Sequence, residues 1–247
     1  MRLAILSDIH SNLEALEEAL AEVERLRIDR MVSCGDLVGY NADPNAVVNL
    51  VRDLGILSVM GNHDAAACGL EEPLLFNPAA RAAILWTRDV LTPENRQFLR
   101  DLPVQAEVGE GILLVHGSIV DRDRYLDGAD AAREDFEALD REPRGVRIAF
   151  FGHTHCPVAL CSRRGEEEIQ TIMDSRIHLK KEFFYLVNGG SVGQPRDGDP
   201  QLSFAVADVE EGWVERYRLP YAVEVTAGKV EEAGLPGFLA RRLLMGH

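Results

Sequence analysis

Short apolar runs alternate with amphipathic segments over the first 64 residues, and no other feature restricts the fold of this chain as strongly. The runs LAIL, RMVSC and ILSVM have the length of buried strands. Between them lie SNLEALEEALAEVERL, whose leucines recur at helical spacing, and PNAVVNLVRDL, which begins at Pro44. Ser11 and Glu14 fit a capping box, so the first helix is predicted to begin at Ser11. This order of elements predicts an α/β sheet with helices on its faces.

The second half of the chain is rich in predicted strands. Apolar runs occur at VQAEV, GILLVHG, GVRIAFFGH, PVALCS, EIQTIM, FFYLVNGG, LSFAVADVE and WVERYRL, and a helix is predicted near residues 128–140. Residues 71–102 lack strand character and contain two predicted helices, the second capped by Thr92, which form a helical insert. Together these elements predict a four-layer α/β/β/α sandwich, formed as a single domain over residues 1–247. The tail at 226–247 is predicted to form a short helix.

The chain carries a large excess of negative charge. Its 247 residues include 41 acidic and 26 basic side chains, which gives a formal net charge of −15. A field of this sign repels nucleic acid and anionic membranes, so stable binding to either is not expected. A substrate that carries phosphate needs local positive charge, which a pair of bound divalent ions could supply.

The cysteines and the N-terminal segment indicate the cellular compartment of the protein. The four cysteines show no C-x-x-C spacing and no dense pattern, so a disulfide framework is not expected. Asp8 and His10 interrupt the N-terminal apolar run, whereas a signal peptide would continue with a longer apolar core. No window approaches the roughly 20 apolar residues of a membrane span. These features predict a reduced, cytoplasmic protein.

Candidate metal ligands follow five of the predicted strands, in the segments SDIH, CGD, GNHD, VHGS and GHTH. In open α/β sheets, ligands bind at the carboxyl ends of strands. Each segment alone is explained by an ordinary turn, but five of the seven histidines fall in this set, and the coincidence favours a functional site. The candidates are Asp8, His10, Asp36, Asn62, His63, His116, His153 and His155.

The chemistry of these side chains narrows the choice of metal. Imidazole combined with carboxylate and amide oxygen suits Mn, Fe, Zn, Co or Ni rather than calcium, and the lack of a cysteine cluster disfavours structural zinc. Setting His63 aside, seven ligands are too many for one ion. Two ions that share a bridging carboxylate would use all seven and leave positions open for water and substrate.

The segment FFGHTHCP leaves three possibilities, which are ligands of one metal, ligands of two metals, or polar residues in a tight turn. In an extended segment, His153 and His155 would point to the same face about 7 Å apart, at about 3.3 Å per residue. Thr154 and Cys156 would then face away. That separation permits each imidazole to reach a different ion.

Taken in order, the motifs D-x-H, G-D, G-N-H-D, H-G and G-H-T-H resemble the calcineurin-like metallophosphoesterase superfamily, from Asp8 to about Asp208. GDLVGYNADPN, NPAARAAILWTRDVLTPEN and NGGSVGQPRDGDP further resemble its branch of small bacterial and archaeal phosphoesterases. The resemblance implies two metal sites joined by Asp36. The implied ligands are Asp8, His10 and His155 for the first ion, and Asn62, His116 and His153 for the second.

The resemblance also implies an activity. We expect hydrolysis of a phosphomonoester or phosphodiester, including nucleotides, by a hydroxide that bridges two metal ions, with manganese favoured. His63 would act as the catalytic acid over the substrate, oriented by Asp64. The arginine that protein phosphatases carry after Asp36 is missing, which disfavours that branch of the superfamily. The alternative is a catalytically weak metal-binding scaffold of the same fold that acts through protein partners.

The glycine-rich segment NGGSVGQPRDGDP supplies one further candidate. Its backbone N–H groups and Arg196 could lie near a substrate phosphate, although a plain hairpin connection explains the glycines equally well. Arg196 is therefore the candidate substrate-binding residue. Tyr40 and Asn41 are expected in a solvent-exposed loop rather than in the cleft.

Overall fold

The computed structural model describes residues 1–142 and 145–247, and within these ranges the chain forms twelve strands and eight helices. The strands are β1 (Arg2–Leu6), β2 (Arg30–Ser33), β3 (Leu57–Ser58), β4 (Ala106–Glu107), β5 (Ile112–Leu114), β6 (Ile148–Phe151), β7 (Val158–Arg163), β8 (Ile169–Ile172), β9 (Arg176–His178), β10 (Phe183–Asn188), β11 (Leu202–Asp208) and β12 (Trp213–Leu219). The helices are α1 (Leu13–Arg25), α2 (Pro44–Asp53), α3 (Asn62–Ala67), α4 (Pro78–Val90), α5 (Pro93–Arg100), α6 (Arg133–Arg141), α7 (Val223–Glu232) and α8 (Gly237–Met245). None of these helices has the length and apolar character needed to cross a bilayer.

The strands form two six-stranded sheets of mixed direction. The order is β3-β2-β1-β11-β12-β9 in the first sheet and β4-β5-β6-β10-β7-β8 in the second. β1, β2 and β3 run parallel, as do β5, β6 and β10, whereas the remaining neighbours pair antiparallel. β1 pairs with β11 from Arg2 opposite Asp208 to Ile5 opposite Ala205, so distant parts of the chain meet in the middle of one sheet.

Alternate side chains of the central strands pack into different cores, as the period of two in a strand requires. In β1, Leu3 and Ile5 belong to the core between the two sheets, whereas Ala4 and Leu6 pack with residues of α1 and α2. β6 divides its side chains in the same way, and Phe151 packs toward α6. Helices, sheet, sheet and helix therefore follow one another, which confirms the α/β/β/α sandwich.

The two helix caps predicted from the sequence have different outcomes. Thr92 caps α5 as expected, because its hydroxyl accepts the N–H of Asn95 at 3.2 Å. The capping box at Ser11 is wrong. Ser11 has a φ of +57° and lies in the preceding loop, and the N-cap of α1 is Asn12, whose side-chain oxygen accepts the N–H of Ala15 at 3.1 Å.

Several predicted elements differ from those observed in extent. The insert forms α4 and α5 as expected, but the tail forms two helices instead of one, and α7 begins at Val223, ahead of the predicted boundary at 226. α6 begins at Arg133, later than the predicted residue 128, and β3 has only two residues. β9 was not predicted, because three residues are too few to show an alternating pattern.

The insert and the tail pack together around one buried tyrosine. Tyr40 joins a core formed by small and aliphatic side chains of α4, α7 and α8, including Ala83, Val230 and Leu239. Only 4% of Tyr40 is exposed, and Asn41 is fully buried. The expectation that these two residues lie in a solvent-exposed loop is therefore wrong.

Candidate metal centre

The structure brings the seven candidate metal ligands together at one edge of the sandwich. They follow β1, β2, β3, β5 and β6, and β1 to β3 run parallel, as do β5 and β6. The carboxyl ends of these strands therefore deliver their polar residues to the same place. Six of the seven are buried, and Asn62 is half-buried at the start of α3.

The ligand atoms form two groups. Within each group, the carboxylate and imidazole atoms lie within 4.8 Å of one another. The first group is Asp8, His10, Asp36 and His155, and the second is Asp36, His116 and His153. Oδ1 of Asn62 joins the second group, at 3.1 Å from Nε2 of His116.

Asp36 belongs to both groups. Its Oδ2 atom lies 3.5 Å from Nε2 of His10 and 3.4 Å from Nε2 of His116. Its other oxygen, Oδ1, accepts the main-chain N–H of His63 at 2.9 Å. One fixed carboxylate oxygen thus stands between two sets of ligands.

Main-chain carbonyls fix one ring nitrogen of each histidine in the two groups. The contacts are His10 Nδ1 to Val38 at 3.0 Å, His116 Nδ1 to Cys34 at 2.8 Å, His155 Nδ1 to Gln194 at 2.6 Å and His153 Nε2 to Asp123 at 3.0 Å. A carbonyl only accepts, so each of these nitrogens carries the proton. A neutral imidazole has a single N–H, so in its neutral form each ring presents a lone pair on the remaining nitrogen to the site.

These lone pairs face one another in pairs. Nε2 of His10 lies 3.0 Å from Nε2 of His155, and Nε2 of His116 lies 3.1 Å from Nδ1 of His153. Two lone pairs at this distance repel each other unless a positive charge lies between or beside them. Imidazole nitrogens fixed by carbonyls, carboxylates and an amide oxygen form a donor set that fits divalent transition-metal ions.

Burial and charge shift the pKa values of this cluster in opposite directions. Burial raises the pKa of Asp8 to about 6. Burial acts on Asp36 in the same sense, but the neighbouring imidazoles of His116 and His63 hold its pKa well below the usual range. For His116, burial lowers the pKa, but the Asp36 carboxylate outweighs it and raises the value to about 9.

The GHTH segment is a tight turn rather than an extended strand. His153 has a φ of +65° and His155 a φ of +58°, so the argument that both rings point to one face of a strand is wrong. The turn itself sends the two rings to different groups. Asp8, His10 and Asp36 also have positive φ, a conformation that costs an L-residue about 1–2 kcal/mol and is characteristic of functional sites.

Two glycines allow the main chain to approach the carboxylates closely. A Cβ atom on Gly61 would lie 2.0 Å from Oδ1 of Asp36. A Cβ atom on Gly152 would lie 1.9 Å from Oγ of Ser7 and 2.6 Å from Oδ2 of Asp8. A larger residue at either position would displace a candidate ligand.

His63 lies beside the first group and not within it. Its ring centroid is 4.7 Å from that of His10, 4.5 Å from that of Tyr40 and 4.8 Å from that of Phe76. Its Nδ1 atom is buried and has no hydrogen-bond partner in the part of the chain that the structure describes. Burial lowers the pKa of this ring to about 4.

The carboxylate of Asp64 bonds to the main chain near His63, and its role in orienting that residue stays a prediction. Oδ1 of Asp64 accepts the N–H of Val38 at 3.2 Å, and Oδ2 accepts the N–H of Gly61 at 3.1 Å. Burial raises the pKa of Asp64 to about 7. The carboxylate ties the loop after β2 to the start of α3, and the rings of Tyr40 and Phe76 pack against His63.

Arg196 lies at the same edge of the molecule. Its Nη2 atom donates to the hydroxyl of Tyr40 at 3.1 Å and to Oε1 of Gln194 at 3.2 Å. Burial, and next the charge of Arg196, hold the pKa of His155 well below its usual range. The guanidinium is therefore near the first group of ligands.

Residues 1–212 match the family model of the calcineurin-like phosphoesterase superfamily domain. The chain belongs to this superfamily. It is 36% identical over 250 residues to MJ0912, an uncharacterized protein of Methanocaldococcus jannaschii, with 99% of this chain and 98% of that protein covered. A metallophosphoesterase from Sphaerobacter thermophilus has a TM-score of 0.85 at 38% identity, over 100% of this chain and 99% of that one. PH1004 from Pyrococcus horikoshii shares the fold, with a TM-score of 0.81 at 19% identity over 100% of this chain and 98% of that one.

This calcineurin-like phosphoesterase is thus a hydrolase of phosphoesters that depends on divalent metal. The matched region ends at residue 212, so α7 and α8 lie beyond it. The tail nevertheless contributes to the core around Tyr40.

Three residues next to the site were not predicted to belong to it. Phe76 packs on His63, Gln194 bonds to Arg196, and Tyr40 contacts both His63 and Arg196. The position of Tyr40 directly after the GDLVG motif was a usable signal, because residues beside a ligand loop share its environment. Gln194 lies two residues before Arg196 in the segment NGGSVGQPRDGDP, which was a signal of the same kind. Phe76 carried no such signal, since tertiary packing alone brings it to the site.

Proposed function

We propose that this phosphoesterase hydrolyses phosphomonoesters or phosphodiesters, nucleotides among them, with two divalent metal ions bound at the candidate centre. The observation that carries the proposal is the pair of ligand groups that share Asp36, each lined by inward-facing imidazole lone pairs. One shared carboxylate between two donor sets is the arrangement expected of a two-metal hydrolase. The whole chain, residues 1–247, is proposed to act as one domain.

The proposed ligands follow the two groups. Asp8, His10 and His155 would hold one ion, Asn62, His116 and His153 would hold the other, and Asp36 would bridge them. When bound, two ions of this kind supply a nucleophilic water near neutral pH and neutralise phosphoryl oxygens. Manganese is the proposed ion, because imidazole combined with carboxylate suits it. The donor set contains no thiolate, the ligand that softer ions prefer.

The residues around the centre have proposed roles of their own. His63 would donate a proton or a hydrogen bond to the leaving oxygen, and an anionic phosphoryl group beside the ring would favour its protonated form. Arg196 would bind a phosphoryl oxygen through its guanidinium. Asp64, which accepts the N–H groups of Val38 and Gly61, would support the segment that carries His63.

The setting of this activity is proposed to be the reducing cytoplasm. All four cysteines carry free thiols, and three of them are buried. Unpaired thiols are the common state of cysteine in that compartment.

The first test is a hydrolysis assay on the purified protein loaded with Mn²⁺. We expect release of the aryl alcohol from an aryl phosphate or a bis-aryl phosphodiester, and loss of that activity after treatment with a chelator. A panel of mononucleotides, cyclic nucleotides and dinucleoside polyphosphates then defines the substrate class. Two tightly bound ions without turnover of any phosphoester would contradict the proposal and favour the metal-binding scaffold.

A further inference from the structure

The side chain of Gln194 is fully buried and holds a donor without an acceptor. Oε1 accepts from Nη2 of Arg196 at 3.2 Å, and Nε2 has no hydrogen-bond partner among residues 1–142 and 145–247. The reverse orientation of the amide would place its NH₂ group against the guanidinium, and two donors cannot form a hydrogen bond. Oε1 is therefore the atom that faces Arg196. A buried N–H group without an acceptor is costly, and native proteins seldom keep one unless a ligand or water satisfies it.

Two more donors lie beside this amide. Nε of Arg196 is also buried without a partner in the described part of the chain. The hydroxyl of Tyr40 accepts from Nη2 of Arg196 at 3.1 Å, which leaves its own proton free to donate. Nη2 of Arg196 therefore links the three side chains, and each retains at least one unused donor group, namely Nε2 of Gln194, Nε of Arg196 and the hydroxyl of Tyr40.

The three side chains adjoin the first group of metal ligands. The ring centroid of Tyr40 is 4.6 Å from that of His10, 4.5 Å from that of His63 and 6.4 Å from that of His155. The main-chain carbonyl of Gln194 accepts from Nδ1 of His155 at 2.6 Å. The main chain of Arg196 also donates to the carbonyl of His155 at 3.4 Å, so all three residues that carry unused donors contact the first group.

We propose that Gln194 and Tyr40, together with Arg196, form a clamp of three hydrogen-bond donors for the non-bridging oxygens of the substrate's phosphoryl group. This inference rests on the proposed function, and it extends that function by adding two binding residues. A phosphoryl group offers several acceptor oxygens and negative charge, which the three donors and the guanidinium match. A neutral substrate group of similar size would satisfy fewer of them.

The C-terminal helices hold this clamp from outside. The N–H of Gly198, two residues after Arg196, donates to the carbonyl of Gly246 at 2.9 Å. A Cβ atom on Gly246 would lie 2.5 Å from the carbonyl carbon of Asp199, so the end of α8 packs tightly on the Arg196 loop. The ring of Tyr40 is enclosed by α4, α7 and α8. The donors are therefore positioned before any ligand arrives, which reduces the entropy cost of binding.

The test measures binding of inorganic phosphate to the Mn²⁺-loaded protein by isothermal titration calorimetry. We expect Gln194→Leu to raise the Kd for phosphate roughly tenfold, since the lost hydrogen bond is to a charged group. Tyr40→Phe keeps the buried ring and should raise the Kd by a smaller factor, roughly threefold to tenfold. Bound manganese, measured by mass spectrometry, should not change in either variant, because the carbonyl of Gln194 that contacts His155 is retained.

Gln170→Leu is the matched control, because Gln170 is exposed on β8, at the edge of the second sheet. Its Kd for phosphate should equal that of the wild type. Unchanged phosphate affinity in a folded Gln194→Leu protein would overturn the clamp and assign the buried amide to an ordered water. If Gln194→Leu does not fold, an unchanged Kd in Tyr40→Phe overturns it instead. Binding is measured without turnover, so a chain that binds phosphate through Gln194 yet hydrolyses no phosphoester would refute only the proposed function.

Discussion

At the scale of single residues, the second ring nitrogen of each histidine decides what the site can bind. A main-chain carbonyl holds the proton on the far side of all four rings in the two ligand groups. The near side of each ring is then an acceptor whenever that ring is neutral. The main chain thus supplies the second contact that carboxylates provide in many other metal sites.

His63 is the residue whose role can be separated from metal binding most directly. We predict that His63→Ala lowers kcat by about 10²- to 10⁴-fold, the usual contribution of a positioned acid. The protein should keep two bound ions, since His63 lies outside both ligand groups. Steady-state kinetics combined with metal analysis checks both parts. Loss of an ion in His63→Ala would show that the residue supports the metal centre instead.

At the scale of secondary-structure elements, α7 is fastened to the start of α1 and to the loop before α2. Lys229 pairs with Glu14 and, at 2.7 Å, with Asp43. The hydroxyl of Thr226 donates to the other oxygen of Glu14 at 2.9 Å. This polar contact joins the C-terminal helices to the segment that follows Asp8 and His10.

The Lys229 contact makes the stability of the protein depend on pH in a defined way. Burial tends to raise the pKa of Glu14, but its hydrogen bonds with Lys229 and Thr226 prevail and lower the pKa from 4.5. A lowered carboxyl pKa means that the stabilisation is present above pH 4.5 and is lost as the pH falls through the folded-state value. The pKa of Lys229 is raised from 10.5 because its bonds to Asp43 and Glu14 outweigh burial. The stabilisation that Lys229 contributes is therefore present below pH 10.5 and is lost as the pH rises through the folded-state value.

We therefore predict that Lys229→Met lowers the free energy of unfolding by about 1 kcal/mol near pH 7, the upper end of the range for ion pairs at the surface. The difference from the wild type should shrink below pH 4.5. Urea denaturation at pH 3 and pH 7 measures this difference in the free energy of unfolding. The control is Lys181→Met, because Lys181 is exposed. An equal loss at both pH values would mean that the aliphatic part of Lys229 carries the effect.

The sequence predicts elements well where one pattern is long enough and local. The repeated strand and helix segments, the Thr92 cap and the two insert helices all depend on neighbouring residues, and the structure confirms them. The positive φ of His153 and His155 does not follow from local pattern, because the surrounding strands impose the turn. The burial of Tyr40 likewise depends on α8, which lies about 200 residues further along the chain.

At the scale of the whole molecule, metal binding and folding are one equilibrium. The candidate ligands come from segments between Asp8 and His155, so an unfolded chain cannot gather them. Free Mn²⁺ at 100 times its Kd should raise the free energy of unfolding by about 2.7 kcal/mol for each site of that affinity. Thermal denaturation with increasing Mn²⁺ measures this effect. An Asp36→Asn protein should show a much smaller increase, and an equal increase would place the ions elsewhere.

The pairing of β1 with β11 has a consequence for the nascent chain. At about 5–20 residues per second, translation takes about 10 to 40 s to proceed from β1 to β11. During that time β1 lacks its neighbour on one side and presents an unpaired edge, which is prone to join strands of other chains. A ribosome paused just before residue 202 would carry every aspartate and histidine of the candidate metal centre on an incomplete sheet. We therefore expect chaperone binding to matter most in the seconds before β11 emerges.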